Sequence, residues 1–131
     1  MSEKKGILKE KSFVFALRTI KLYQYLSHDK KEFVLSKQVL RSGTSIGAMI
    51  REAQNAESTA DFIHKLAVAQ KECDESIYWL ELLLQSGYLK TKEFESINQE
   101  ANDLLKMIRS AIITSKSRIS SAKAAPGTHH S

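Results

Sequence analysis

The amino-acid sequence predicts an all-α protein: an antiparallel up-down-up-down four-helix bundle with apolar surface left over for oligomeric assembly. Apolar or small residues recur at alternating four- and three-residue steps through Phe62, Leu66, Ala69, Cys73, Ser76, Leu80 and Leu83, which makes one stripe along a long helix. One proline and five glycines in 131 residues leave too little punctuation for a sheet protein. A hydrophobic share of 42% over that length supports one core and therefore one domain. The expected division is a flexible basic N-terminus over 1–11, the bundle over 12–118 and a flexible tail over 119–131.

The first helix is expected from Ser12 to Ser27, capped by Ser12, with Phe13, Leu17, Ile20, Tyr23 or Gln24, and Leu26 on its inner face. The run His28-Asp29-Lys30-Lys31-Glu32 breaks that pattern, and a second helix starts near Glu32. Its stripe is Leu35, Val39, Ser42 or Gly43, Ile46, Ile50 and Ala53. Gly43 and Gly47 each cost about 1 kcal/mol relative to alanine inside a helix. Keeping them suits a close approach by another backbone, or a bend. Ser58 followed by Asp61 approximates a capping box for the third helix, and Gly87-Tyr88-Leu89 is a helix stop with an apolar contact behind it. Thr91, with Glu93 and Glu95, opens a fourth helix whose stripe is Phe94, Ile97, Ala101, Leu104, Ile108, Ala111 and Ser115. Ile63, Ala67, Ile77, Trp79, Leu82 and Leu84 fall outside the third helix's stripe. So much apolar circumference is expected to meet another subunit.

Most kinds of chemistry find no foothold. The single Cys73 has no partner for a disulfide and sits on an apolar stripe, so it reads as a buried structural thiol. Met1 to Lys11 carries four lysines and two glutamates but no apolar leader, and no run approaches the about 20 apolar residues of a membrane span. A cytoplasmic protein with no membrane partner is expected. Asp61 and His64 are one turn apart, with Glu72 and Glu75 further on, yet a di-iron bundle needs such ligands from several helices. A helix cap beside a surface histidine is the better account, and neither metal nor cofactor is expected. No nucleophile constellation or glycine-rich phosphate loop is present, so the protein reads as non-enzymatic. The segment 36–56 superficially resembles a helix-turn-helix, but the residues after its turn, Ile46 to Ile50, offer almost nothing to base edges. A continuous or gently bent helix is expected there.

Charge is the informative signal. Of the 20 lysines and arginines, Lys106, Arg109, Lys116, Arg118 and Lys123 lie after Asp103, and none of the 15 acids does. The whole excess of +5 therefore belongs to the last helix and tail. These five are the candidate phosphate contacts, although cations late in a helix also offset its dipole. Arg41, Glu52, Lys71, Glu72 and Glu75 lie beside apolar stripes. They are either solvated, or Arg41 pairs with a facing glutamate inside the bundle or at a subunit contact. Tyr78 and Trp79 read as core or interface aromatics, since no basic residues flank them to make a base-stacking platform.

The stretch RSGTSIGAMIREAQNAEST, then DFIHKLAVAQKEC and IYWLELL, resembles bacterial four-helix-bundle proteins encoded within intervening sequences of large-subunit ribosomal RNA genes. Arg41, Ser45-Ile46, Glu52, Lys71-Glu72, Glu75 and Tyr78-Trp79-Leu80 carry the resemblance, while Met49 stands where many relatives have asparagine. It covers residues 12–89 well and the fourth helix by pattern. It implies a cytoplasmic bundle of no established enzymatic activity, assembled as a ring-shaped homopentamer. The family is similar in fold to the accessory variability proteins of diversity-generating retroelements, basic pentamers that bind a reverse transcriptase and nucleic acid.

The expected function is thus an oligomeric scaffold holding RNA, or a protein–RNA partner, without sequence specificity. The alternative is a protein-interaction module that docks a reverse transcriptase or ribosome-associated partner on exposed apolar helix faces.

Overall fold

The computed structural model describes residues 2–124, with side chains from 6 to 122. Its helices are α1 (Ser2–His28), α2 (Leu35–Gln54), α3 (Thr59–Gln85) and α4 (Thr91–Ala124), and no strand occurs among the described residues. Each helix packs on its sequence neighbour, and α4 returns to α1, so the four enclose one core. Phe15, Leu26, Val39, Ile46, Ile50, Leu66, Leu80, Leu83 and Ile108 fill it.

The α2 stripe lies where the spacing predicts: Val39, Ser42, Gly43, Ile46, Ile50 and Ala53 are buried, and the helix runs through Ser42-Gly43-Thr44 unbroken. The same holds for Leu66, Ala69, Cys73, Ser76, Leu80 and Leu83 of α3. In α4 the stripe follows Ile97, Ala101, Leu104 and Ile108, then turns to Ile112 in place of Ser115.

Helix α1 differs from expectation in both extent and face. It starts at Ser2, so the N-terminal stretch is helical up to the expected Ser12 start. Ser12 is no cap: its hydroxyl donates to the Lys9 carbonyl at 3.0 Å, inside the helix. The buried stripe is Leu8, Ser12, Phe15, Thr19 and Leu26, whereas Phe13 and Leu17, predicted inward, are 49% and 47% exposed. The reason lies opposite, on α2. A Cβ at Gly43 would stand 2.5 Å from Thr19 Cγ2, and one at Gly47 would stand 3.5 Å from the Ser12 carbonyl oxygen. Small residues on both helices let the backbones approach, and Phe13 would not fit between them.

The ends are capped locally. Glu32 precedes α2, and its carboxylate accepts from the backbone N–H groups of Val34, Leu35 and Ser36 at 3.1, 2.9 and 2.7 Å. Burial alone would raise this carboxyl, but those three donors and the Ser36 side chain hold it below the usual carboxylate value. Ser58 accepts from the Asp61 N–H at 3.0 Å at the start of α3. Gly87, at φ 87°, ends that helix, and the Tyr88 and Leu89 N–H groups both reach the Leu83 carbonyl. At the other end of the chain, α4 continues to Ala124, past the expected fraying at Ser117, so the predicted tail is helical over 119–124. The remainder of that tail, 125–131, lies outside the described residues.

Candidate functional site

Helix α4 sets the geometry of the cationic residues. Lys106, Arg109, Lys116 and Arg118 are all exposed, while Lys123 lies in the last turn, outside the residues whose side chains are described. Arg109 and Lys116 are seven residues apart and so stand on one side of the helix, a register that Lys123 continues. Arg118 is about 200° around the axis from Lys116. The five candidates therefore form two sets. Arg109 and Lys116 face outward, and Arg109 lies 3.9 Å from Asp74 of α3 in a loose, solvent-exposed ion pair. Lys106 and Arg118 instead border a cavity of about 350 Å³, lined by the C-terminal half of α4, the C-terminal end of α2, the N-terminal end of α3 and Leu8 of α1.

A second cluster ties α2 to α3. The Arg41 guanidinium donates to Glu72 Oε1 at 3.1 Å and to Glu75 Oε2, and the Trp79 indole N–H reaches the same Glu75 oxygen at 3.2 Å. The Glu75 hydrogen bond raises the Arg41 pKa, and Arg41 in turn holds the Glu75 carboxyl below its usual value. One oxygen of each carboxylate faces a donor within the same chain, and the cluster forms a bracket between two helices. Lys65 reaches Glu52 at 3.0 Å further along the same pair. Asp61, whose carboxylate accepts from the Glu57 N–H at 3.3 Å, serves the helix start, and His64 points to solvent. Among the described residues no group of three potential ligands is placed to hold a metal ion, and no helix is long and apolar enough to cross a membrane.

Apolar exposure lies elsewhere than expected. The additional apolar residues of α3, among them Ile63, Ile77 and Trp79, pack against the core in part; only Tyr78, 53% exposed, stands out, tilted against Trp79. Helix α1 instead presents Ile7, Phe13, Val14 and Leu17 to solvent, with Ile113 of α4 exposed as well. Two features left no legible signal. Arg18 bridges α1 to α4, donating to Glu100 at 2.6 Å and to Ser96 at 2.8 Å. The cavity draws its lining from all four helices, and side-chain spacing along one helix carries no trace of that.

The comparisons with known proteins agree with this architecture. The description of the family whose model matches residues 4–110 is 23S rRNA-intervening sequence protein. A crystal structure of a protein of unknown function from the S23 ribosomal protein family of Bacteroides thetaiotaomicron is 51% identical, with a TM-score of 0.82. That similarity covers 83% of this chain and 97% of the other. No curated protein matches. Lys116, Arg118 and Lys123 fall beyond the family match, whereas the Arg41 bracket and the α1 face fall within it. With a family match over residues 4–110 and 51% identity to a solved relative across 83% of its length, the chain belongs to the 23S rRNA-intervening sequence protein family.

Proposed function

We propose that the protein is a non-enzymatic cytoplasmic scaffold, assembled from several copies, that holds RNA without reading its sequence. The observation that carries this is the end of α4: Lys106, Arg109, Lys116 and Arg118 are exposed, and no acid follows Asp103. Phosphate is the ligand such a surface attracts, and a helix presenting cations without flanking base-reading groups binds backbone rather than sequence. The fold would be the antiparallel up-and-down bundle. In favour of it, Glu52 pairs with Lys65 while the earlier Arg41 pairs with the later Glu72, the reversed order of antiparallel neighbours. Gly43 beside Thr19 and Gly47 beside Ser12 follow the same order between α1 and α2. Self-association through the apolar α1 face, in a homopentamer, would repeat the basic surface and multiply weak contacts.

The test is titration with single-stranded RNA of mixed sequence between about 50 and 200 mM salt. Affinity should fall steeply over that range and vanish when all five basic residues are replaced by glutamine. RNA affinity that survives the replacement sinks the charge argument. A second reading, docking of a partner protein, is favoured by Phe13, Val14 and Leu17 standing exposed on one helix. Apolar docking of that kind would barely respond to salt.

A further inference from the structure

We infer that the cavity lined by α4 and the facing ends of α1, α2 and α3 is a binding site for an anionic amphiphile, a medium-chain fatty acid, whose acid group lies at Arg118. At about 350 Å³ the space falls within the range of small-molecule sites, about 300–1,000 Å³. It is elongated: Lys106 and Arg118, both at its border, are separated by about 18 Å of helix rise. Its two ends differ in chemistry. Ile50, Leu66 and Met107 make the inner part apolar, whereas Thr114, Ser115 and Arg118 gather at the outer part, toward the C-terminal end of α4. A slot apolar along its length, with Lys106 at its inner border and Arg118 beside the Thr114 and Ser115 hydroxyls at its outer one, matches an extended acyl chain whose carboxylate head lies at the outer, polar end. Arg118 makes no ion pair among the described residues, and its planar guanidinium can meet a carboxylate with two parallel hydrogen bonds. Filling the slot with hydrocarbon removes from water the apolar surface that the helices leave uncovered. Lys106 and Arg118 also belong to the basic surface proposed to meet RNA, so the site is tested without RNA.

The experiment is titration of the full chain with dodecanoate, below its micelle concentration, beside uncharged dodecanol. Saturable uptake of one dodecanoate per chain is expected, with dodecanol bound about tenfold more weakly because it lacks the charge-assisted contact. Arg118→Gln should bring dodecanoate down to the dodecanol level and leave dodecanol unchanged. Ala111→Phe, which grows a ring into the slot, should block both ligands while circular dichroism shows the helices intact. Arg118→Gln alters an exposed side chain, so its effect is readable even if Ala111→Phe fails to fold. Absence of saturable uptake by the unaltered protein overturns the site. Equal affinity for the two ligands, or no effect of Arg118→Gln, overturns the assignment of its charged end.

Discussion

The α2–α3 pair and the α1–α4 pair are built from similar helices and finished differently. Between α2 and α3 polar contacts run along the seam: Ser76 donates to Ser42 in the buried middle, and the Arg41 and Lys65 ion pairs flank it. Between α1 and α4 the ion pair among the described residues is Arg18–Glu100, and the two helices leave Val14, Leu17 and Ile113 exposed, with Phe13 lying half exposed under the Arg51 guanidinium of α2. The first pair satisfies its own side chains. The second leaves apolar surface unmatched within one copy, so the part of the bundle available for a partner or ligand is the part the chain does not seal.

That contrast can be broken by substitution. The largest effect is expected from Leu80→Ala, which empties a fully buried site on α3 and should cost about 2–5 kcal/mol in chemical denaturation. Leu17→Ala on the exposed side of α1 should change monomer stability by less than about 0.5 kcal/mol, with its effect falling on self-association, read as mass by light scattering. An assembly near five times the 14.8 kDa chain that collapses on Leu17→Ser would place the subunit contact on α1. Next comes Gly43→Ala, which drives a methyl group into Thr19 and should cost about 1–3 kcal/mol. Thr19→Ser removes the Cγ2 responsible and should recover part of that loss in a double-mutant cycle.

Smaller effects sharpen the picture. Arg41→Ala releases two carboxylates at a half-exposed site and should cost about 1 kcal/mol, less in high salt. Glu32→Gln weakens the α2 cap by about 1 kcal/mol at neutral pH. The folded Glu32 carboxyl lies below its ordinary value, so its contribution is complete above the ordinary carboxylate range and disappears as pH falls through the lowered value. Thermal melts of the unaltered protein and Glu32→Gln should therefore converge in acid.

Helices α2, α3 and most of α4 were legible because large apolar side chains such as Val39, Ile46, Ile50, Leu66 and Leu80 recur often enough to fix the face on which the small residues Ser42, Gly43, Ala69 and Ser76 also lie. The face of α1 was not. Its buried positions include Ser12 and Thr19, whose hydroxyls are satisfied within the helix by the Lys9 and Ala16 carbonyls, so polar residues occupy core sites at no hydrogen-bond cost. Hydrophobicity then points to Phe13 and Leu17, the wrong side. The glycines opposite, Gly43 and Gly47, held the missing clue, since a close approach needs a small residue on each partner. The cationic end of α4 was readable as charge, but which of its residues border the cavity emerges only from how the four helices pack around it.

Cys73 gives this bundle a built-in clock. Its thiol is buried on α3, donates to the Ala101 carbonyl of α4 at 3.2 Å, and is pushed up to about 12, chiefly by burial and then by the Asp74 charge. A thiol so protonated and shielded reacts with an alkylating reagent only when α3 and α4 part. As the chain's single cysteine, it converts each such opening into one permanent covalent mark. The rate at which marks accumulate counts how often α3 and α4 part, in the unaltered protein and with no label engineered into it.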